Sequence, residues 1–163
     1  KQNTIKLVTE TLKALKKLKN TTFLFTAPGV DLHNKEIFSL IKKFKKNNIS
    51  SYFFKNLGTK LFYSSMKHAD FMIGNSSSAI IEAPIFGLPT VNIGGRQTGR
   101  EMAPSVINVD CKYESIKGGV DDALRRPRYL KQNIYDLPYG KLGATASILA
   151  VLEQFSCEQV RSV

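Results

Sequence analysis

The stretch MIGNSSSAIIEAPIFGLPTVNIGG, residues 72–95, decides the fold of this sequence. It opens with a short apolar run typical of a buried strand, passes through three serines into helical spacing, and ends in a second strand, PTVNIG. Pro84 removes a helical hydrogen bond, and Gly87 with Pro89 ends the helix before the second strand. Two strands joined through a helix predict a parallel pair, because parallel strands need a crossover connection.

The same alternation of strand and helix continues along the chain. Helical patterns cover residues 4–19, 34–46, 59–69, 76–87, 113–124 and 144–155, and strand-like runs cover residues 21–26, 50–56, 70–74, 89–94 and 105–110. Because the crossovers are helical, we predict an α/β fold with a mostly parallel sheet and helices on both faces. Asn34 and Thr59 are expected to cap the second and third helices.

Size and composition predict one domain spanning residues 1–163. The chain has 163 residues, 42% of them hydrophobic, enough to bury a sizeable core. Cys111 and Cys157 are the only cysteines, too few for a disulfide framework or a four-ligand zinc site. Without a signal peptide pattern or a long apolar run, we expect a cytoplasmic protein with no membrane partner. The helical pattern already present at Lys1 leads us to expect a piece of a longer polypeptide.

The charge balance predicts an anionic ligand. Lys and Arg number 24 against 13 Asp and Glu, giving a formal charge of +11. Such a balance suits a nucleotide, a nucleic acid or an acidic partner surface, and it does not choose among them. The runs LKKLK and KKFKK fall on amphipathic helices, where a solvated face is the alternative to nucleic-acid contact. His33 and His68 have neither metal-ligand nor triad spacing, so no metal is predicted.

The serine run follows one strand and opens a helix. Asn75, Ser76, Ser77 and Ser78 there offer hydroxyl groups, backbone N–H groups and the positive end of a helix dipole, which suit a phosphate. Helix capping is the alternative, although capping needs only one such residue. Glu82 lies four residues beyond Ser78, on the same helix face, where its carboxylate could accept hydrogen bonds from a ribose diol; a solvated glutamate is the alternative.

A second loop, GGRQTGRE at residues 94–101, also follows a strand. Its glycines allow close approach to a ligand, and Arg96 and Arg100 offer forked donors for phosphate, although surface arginines are common in a basic protein. Phe62 and Tyr63, on the helix before the third strand, could stack on a base or belong to the core. Two anion-suited loops after separate strands of a parallel sheet support each other.

Residues 69–101, ADFMIGNSSSAIIEAPIFGLPTVNIGGRQTGRE, resemble the nucleotide-binding half of UDP-N-acetylglucosamine 2-epimerases. NSSSA and RQTGR resemble the hydrolysing branch of bacterial sialic acid synthesis in particular. The resemblance extends more loosely from TAPGVDLHNKEI to PYGKLGATASI. It implies a two-domain fold of the glycosyltransferase B type, with the active site between two Rossmann-like domains, and this chain would be the C-terminal one.

The resemblance also implies which residues hold the UDP portion of the substrate: Ser76 and Ser77 at the diphosphate, Glu82 at the ribose hydroxyls, Arg96 near the phosphates and Phe62 beside the uracil. Three neighbours are additional candidates: Asn75, Ser78 and Arg100. No cofactor and no metal are implied. The residues that move protons would lie largely in the N-terminal domain, so no catalytic residue is assigned here and the isolated chain is expected to be inactive.

The activity that the resemblance implies is conversion of UDP-N-acetylglucosamine to N-acetylmannosamine and UDP, by elimination of UDP followed by addition of water. The implied partners are UDP, its sugar conjugate, the N-terminal domain of the same polypeptide and further copies in a homo-oligomer. N-acetylglucosamine and diacetylated bacillosamine both stay open as the sugar. A nucleotide-sugar glycosyltransferase of the same architecture is the alternative among enzymes, and a basic nucleic-acid-binding module is the alternative outside them.

Overall fold

A computed structural model describes residues 4–27, 34–48, 50–128, 137–140 and 143–154. The helices are α1 Thr4–Leu15, α2 Asn34–Lys46, α3 Gly58–His68, α4 Ser78–Ile81, α5 Tyr113–Arg125 and α6 Ala144–Leu152. The strands are β1 Phe23–Thr26, β2 Ser51–Phe54, β3 Met72–Gly74, β4 Thr90–Ile93 and β5 Val106–Val109. Two short 3₁₀ turns complete the order, at Ala83–Phe86 and Gly95–Gln97.

All the strand pairs that the structure describes are parallel. β1 pairs with β2, with Phe23 opposite Ser51. β4 lies between β3 and β5 in a second sheet, with Thr90 opposite both Met72 and Val106. The predicted α/β fold with parallel strands is therefore confirmed. The described strands form two sheets, of two and three strands, where the sequence predicted one continuous sheet.

Helices cover both faces of the three-stranded sheet. Val91 and Ile93 of β4 are fully buried in a core cluster with apolar residues of α1 and α5. A second cluster on the opposite face joins Met66 of α3 to Ala83 and Leu88 around the 3₁₀ turn that follows α4. Since neighbouring strand residues point to opposite faces, β4 is buried from both sides and holds the site loops on a rigid base.

The predicted cap of the third helix was wrong. α3 begins at Gly58, and Thr59 is its second residue, so Thr59 is not the cap. The side-chain Oδ1 of Asn56 instead accepts a hydrogen bond of 2.7 Å from the Gly58 N–H. This bond forms a turn that starts the helix one residue before Thr59. The helical stretch at 76–87 is broken, as the loss of a hydrogen bond at Pro84 predicted: the four-residue α4 is followed by a 3₁₀ turn. The Asn34 side chain, the other predicted cap, lies outside the described residues.

In the part of the chain that the structure describes, no helix is long and apolar enough to cross a membrane.

Arg128 fixes the end of α3, the helix that carries Phe62. Its guanidinium donates hydrogen bonds to the backbone carbonyls of Lys67, at 2.6 Å, of Met66, at 2.7 Å, and of Ala69. These carbonyls belong to the last turn of the helix, where a cation is also favoured by the helix dipole.

We predict that Arg128→Ala lowers the free energy of unfolding by about 1–3 kcal/mol, because charge-assisted hydrogen bonds to partly buried carbonyls are lost. Arg125→Ala, at an exposed position at the end of α5, removes the same charge and is the matched control. Urea unfolding followed by circular dichroism measures both. An equal loss in the two variants would show that Arg128 contributes through charge alone.

Candidate functional site

Two loops meet at the carboxyl ends of β3 and β4, and we call them the serine loop, residues 75–78, and the arginine loop, residues 94–100. The Gln97 Nε2 donates a hydrogen bond of 2.8 Å to the backbone carbonyl of Asn75. Gln97 is only 3% exposed. This buried contact ties the two loops together, at the sheet edge where parallel α/β folds bind their ligands.

The serine hydroxyls are largely not used as helix caps. Ser77 is the N-cap residue of α4, yet its side chain makes no capping hydrogen bond. The Ser76 Oγ accepts one long bond, of 3.3 Å, from the Ser78 N–H. Ser76 and Ser77 are both exposed, so their hydroxyl groups face solvent. α4 has four residues, so few peptide dipoles align there, and the predicted dipole contribution is small.

Glu82 has one carboxylate oxygen held and one without a partner. The Tyr63 hydroxyl donates a hydrogen bond of 3.2 Å to Glu82 Oε1. Glu82 Oε2 is buried and has no hydrogen-bond partner among the described residues. A buried carboxylate oxygen without a donor is costly, so this atom is available for a hydrogen bond from a ligand.

Glu82 lines a pocket of about 460 Å³, which we call the Glu82 pocket. Its walls include Phe62, Tyr63 and Ser78, together with Thr26, at the end of β1, and Asn56. A pocket of this size accommodates a group such as a nucleoside. The hydroxyl of Ser78 and the carboxylate of Glu82 supply polar groups, and the Phe62 ring supplies an apolar surface.

A larger groove of about 1740 Å³ lies between β1 and β3, and we call it the inter-sheet groove. Asn75, Ser76 and Arg96 line its end at the site loops, and Phe62 lines both this groove and the Glu82 pocket. Ser77 and Arg100 are exposed and line neither cavity. The structure thus places Asn75, Ser76 and Arg96 around one cavity and Ser78 and Glu82 around the next, with Phe62 between.

Sequence reasoning missed two contacts of this site. Gln97 had no predicted role, and Tyr63 was considered only for base stacking or for the core. In the structure the Tyr63 ring lies 5.7 Å from the Phe86 ring and 6.3 Å from the Phe62 ring, while its hydroxyl reaches Glu82. Gln97 is buried although Arg96 and Arg100 on either side of it are exposed. No helix or strand periodicity in the sequence indicates such a buried polar residue.

The negative charge of Glu82 raises the pKa of Tyr63 above its ordinary value, and the hydrogen bond to the carboxylate adds to this. We therefore predict that Glu82→Gln, which removes the charge, lowers the pKa of Tyr63 toward about 10. NMR titration of ring-labelled tyrosine measures it, with Tyr63→Phe to assign the signal. An unchanged titration of Tyr63 would mean that the contact with Glu82 does not persist in solution.

The fold and the two loops define a Rossmann-like α/β domain with polar groups at the carboxyl edge of its sheet. Residues 1–153 match the model of the family described as UDP-N-acetylglucosamine 2-epimerase, and the chain belongs to this family. The family resemblance seen in residues 69–101 is thereby confirmed.

Three relatives share substantial identity with the chain. The GDP/UDP-N,N'-diacetylbacillosamine 2-epimerase (hydrolyzing) of Campylobacter jejuni is 40% identical over 122 residues, 71% of this chain and 32% of the relative. The UDP-N,N'-diacetylbacillosamine 2-epimerase (hydrolyzing) of Legionella pneumophila is 43% identical over 81 residues, 50% of this chain and 22% of the relative. The UDP-N-acetylglucosamine 2-epimerase of Neisseria meningitidis is 32% identical over 96 residues, which are 59% of this chain and 25% of the relative. The chain thus matches at most about a third of these relatives' own length.

Proposed function

We propose that this chain is the UDP-binding, C-terminal domain of a hydrolysing UDP-N-acetylglucosamine 2-epimerase. The observation that carries the proposal is the Glu82 carboxylate, which Tyr63 holds through Oε1 while Oε2 is buried without a partner at the Glu82 pocket. A carboxylate fixed in this way can accept hydrogen bonds from a ribose diol, and each bond to the charged group is stronger than a neutral one.

The diphosphate lies, in this proposal, between the serine loop and the arginine loop. Ser76 and Arg96 line the same end of the inter-sheet groove, and Gln97 holds the two loops together. Arg96 supplies the positive charge and the serine hydroxyls donate hydrogen bonds to the phosphate oxygens. Ser77 follows Ser76 in the serine loop and is the second proposed ligand of the diphosphate. Asn75, Ser78 and Arg100 remain additional candidates, and Phe62 packs beside the uracil.

The role of this domain in the reaction is to stabilise the leaving group. Elimination breaks the bond between the sugar C1 and the UDP oxygen and removes the proton from C2, and water then adds OH at C1 and a proton at C2. Negative charge develops on the diphosphate as that bond breaks, and a guanidinium with hydroxyl donors stabilises it. The groups that take and return the C2 proton lie outside this chain in the proposal, within the other domain of a homo-oligomeric enzyme.

A second substrate is favoured by the relatives' names. The Campylobacter and Legionella relatives, at 40% and 43% identity, are named for N,N'-diacetylbacillosamine, and the Neisseria relative, at 32%, is named for N-acetylglucosamine. We therefore place UDP-N,N'-diacetylbacillosamine beside UDP-N-acetylglucosamine as a candidate for the complete protein.

Incubating the complete protein with each UDP-sugar in deuterated water tests this proposal. We expect free UDP together with a 2-epimeric free sugar that carries one deuterium at C2, because the proton at C2 is replaced from solvent. A UDP-linked epimer without release of UDP would contradict the hydrolysing reaction. Transfer of an unaltered sugar to an added acceptor would replace the proposal with the glycosyltransferase alternative.

A further inference from the structure

The two carboxylate oxygens of Glu82 lie in different surroundings. The Tyr63 hydroxyl donates its hydrogen bond to Oε1, whereas Oε2 is buried without a partner among the described residues. Glu82 directly follows α4, and its backbone N–H donates to the Ser78 carbonyl, so the helix end fixes its Cα. Three side-chain torsions separate that Cα from the carboxylate oxygens. Among the described residues, the Tyr63 hydroxyl is the group that holds the carboxylate through a hydrogen bond.

The Tyr63 ring is itself packed against the turn that follows Glu82. Its centroid lies 5.7 Å from that of Phe86, in the 3₁₀ turn Ala83–Phe86, and 6.3 Å from that of Phe62, on the same helix. A tyrosine has only two side-chain torsions, so the packing of the ring also determines where the hydroxyl lies. The hydroxyl therefore reaches Glu82 from a fixed position on α3.

The Tyr63 hydroxyl is the donor in this contact at neutral pH. The negative charge of Glu82 raises the pKa of Tyr63 above its ordinary value of about 10, so the phenol keeps its proton. An ionised carboxylate offers acceptors only, and the Tyr63 proton therefore lies on the bond to Oε1. A hydrogen bond of this charge-assisted kind is stronger than one between neutral groups.

Ordering the carboxylate before a nucleotide binds strengthens the binding. A flexible glutamate loses side-chain entropy when a ligand fixes it, and this loss reduces the affinity. A carboxylate that Tyr63 already holds has lost that entropy during folding. Its Oε2 also has no protein donor among the described residues that a ligand hydroxyl would have to displace. The hydrogen bond from Tyr63 thus prepares Glu82 for a ligand that donates to it.

We propose that Tyr63 is a positioning residue that sets the preference of this site for ribonucleotides, because its hydroxyl fixes the Glu82 carboxylate for the ribose diol. This inference rests on the proposed function, since it takes a uridine nucleotide as the ligand of the Glu82 pocket. Tyr63 and Glu82 both line that pocket, so the hydrogen bond between them lies where the ligand binds. The contribution of the Tyr63 hydroxyl therefore appears only with a nucleotide that carries the diol.

Calorimetric titration of the complete protein with UDP and with 2′,3′-dideoxy-UDP tests the proposal. We expect the wild type to bind UDP at least about 10-fold more tightly, because the dideoxy nucleotide lacks the hydroxyl groups that donate to the charged carboxylate. Tyr63→Phe removes the hydroxyl and keeps the packed ring. We expect it to weaken UDP binding about 5- to 10-fold and to leave the affinity for dideoxy-UDP within about twofold. The preference for UDP then falls by the same factor.

Tyr52→Phe is the matched control, because it makes the same chemical change at another exposed tyrosine. Tyr52 lies on β2 and lines neither the Glu82 pocket nor the inter-sheet groove. We expect the affinities of this variant for both nucleotides to stay within about twofold of the wild type. Thermal unfolding followed by circular dichroism verifies that both variants are folded.

Two results for Tyr63→Phe would overturn the proposal. An unchanged preference for UDP would show that Glu82 takes its binding position without the Tyr63 hydroxyl. Equal weakening of both nucleotides would show that the hydroxyl supports the pocket as a whole and not the carboxylate. A wild-type protein that binds both nucleotides equally, or neither of them, would instead contradict the proposed function, and this inference would fail with it. The wild-type and variant titrations therefore distinguish the two failures.

Discussion

The double variant Ser76→Ala with Glu82→Gln is expected to bind UDP about 100-fold more weakly than the wild-type chain. The variant removes a hydroxyl donor at the diphosphate and the carboxylate charge at the ribose, and hydrogen bonds to charged groups contribute about 1.5–3 kcal/mol each. A loss of about 2.7 kcal/mol corresponds to 100-fold in affinity. Calorimetric titration of UDP into both proteins measures the change, with circular dichroism to verify that the variant is folded.

The matched control makes the same chemical changes at exposed positions away from both loops. Ser64→Ala with Glu36→Gln alters one residue on α3 and one on α2, and both side chains are exposed. We expect its UDP affinity to stay within about twofold of wild type, since surface substitutions of this kind change little. If the folded Ser76 and Glu82 double variant binds UDP as well as this control does, the site assignment is wrong.

Gly119→Ala is expected to lower the free energy of unfolding by about 1–3 kcal/mol, the usual cost of overpacking a core. Gly119 lies on α5 where the helix meets the three-stranded sheet. A Cβ at this position would lie 2.7 Å from Val109 Cγ1 and 3.1 Å from Val91 Cγ1. The first distance is shorter than real Cβ contacts, so the Val109 side chain or the helix would have to shift, and the Val91 side chain would have to give by a few tenths of an ångström.

The neighbouring glycine of the same helix is the control for this prediction. A Cβ at Gly118 would have no atom within 4 Å, so Gly118→Ala adds helix propensity without a clash. We expect it to raise the free energy of unfolding by up to about 1 kcal/mol. Urea unfolding of the two variants should therefore give shifts of opposite sign. Shifts of the same sign and size would contradict the close approach of α5 to β4 and β5.

The helices could be predicted from local pattern where their apolar spacing is regular. α2 has the predicted bounds, 34–46, and Ile37, Ile41 and Phe44 on its apolar face are buried. α1 was predicted to reach residue 19 but ends at Leu15. Helical spacing gives the face of a helix more reliably than its end, because the end depends on local turns and capping.

The separate parts of the candidate site could be predicted, but their connections could not. The serine loop and the arginine loop follow strands, and parallel topology alone brings them to one edge. The contact from Gln97 to Asn75 spans 22 residues and the contact from Tyr63 to Glu82 spans 19. No periodic pattern in the sequence relates residues so far apart. The division into two sheets could not be predicted either, because it depends on which strand edges meet in space.

Calorimetric titration tests the central claim, that this protein binds uridine nucleotides, most directly. The ligands are UDP, UDP-N-acetylglucosamine and a short single-stranded oligonucleotide, each at two salt concentrations. The titration is performed on the 163-residue chain and on the longer protein that contains it. We predict saturable binding of both uridine nucleotides and no measurable binding of the oligonucleotide. The contradicting result is oligonucleotide binding that weakens steeply with salt, without any binding of UDP. It would show that the basic residues behind the charge of +11 form a nucleic-acid-binding surface.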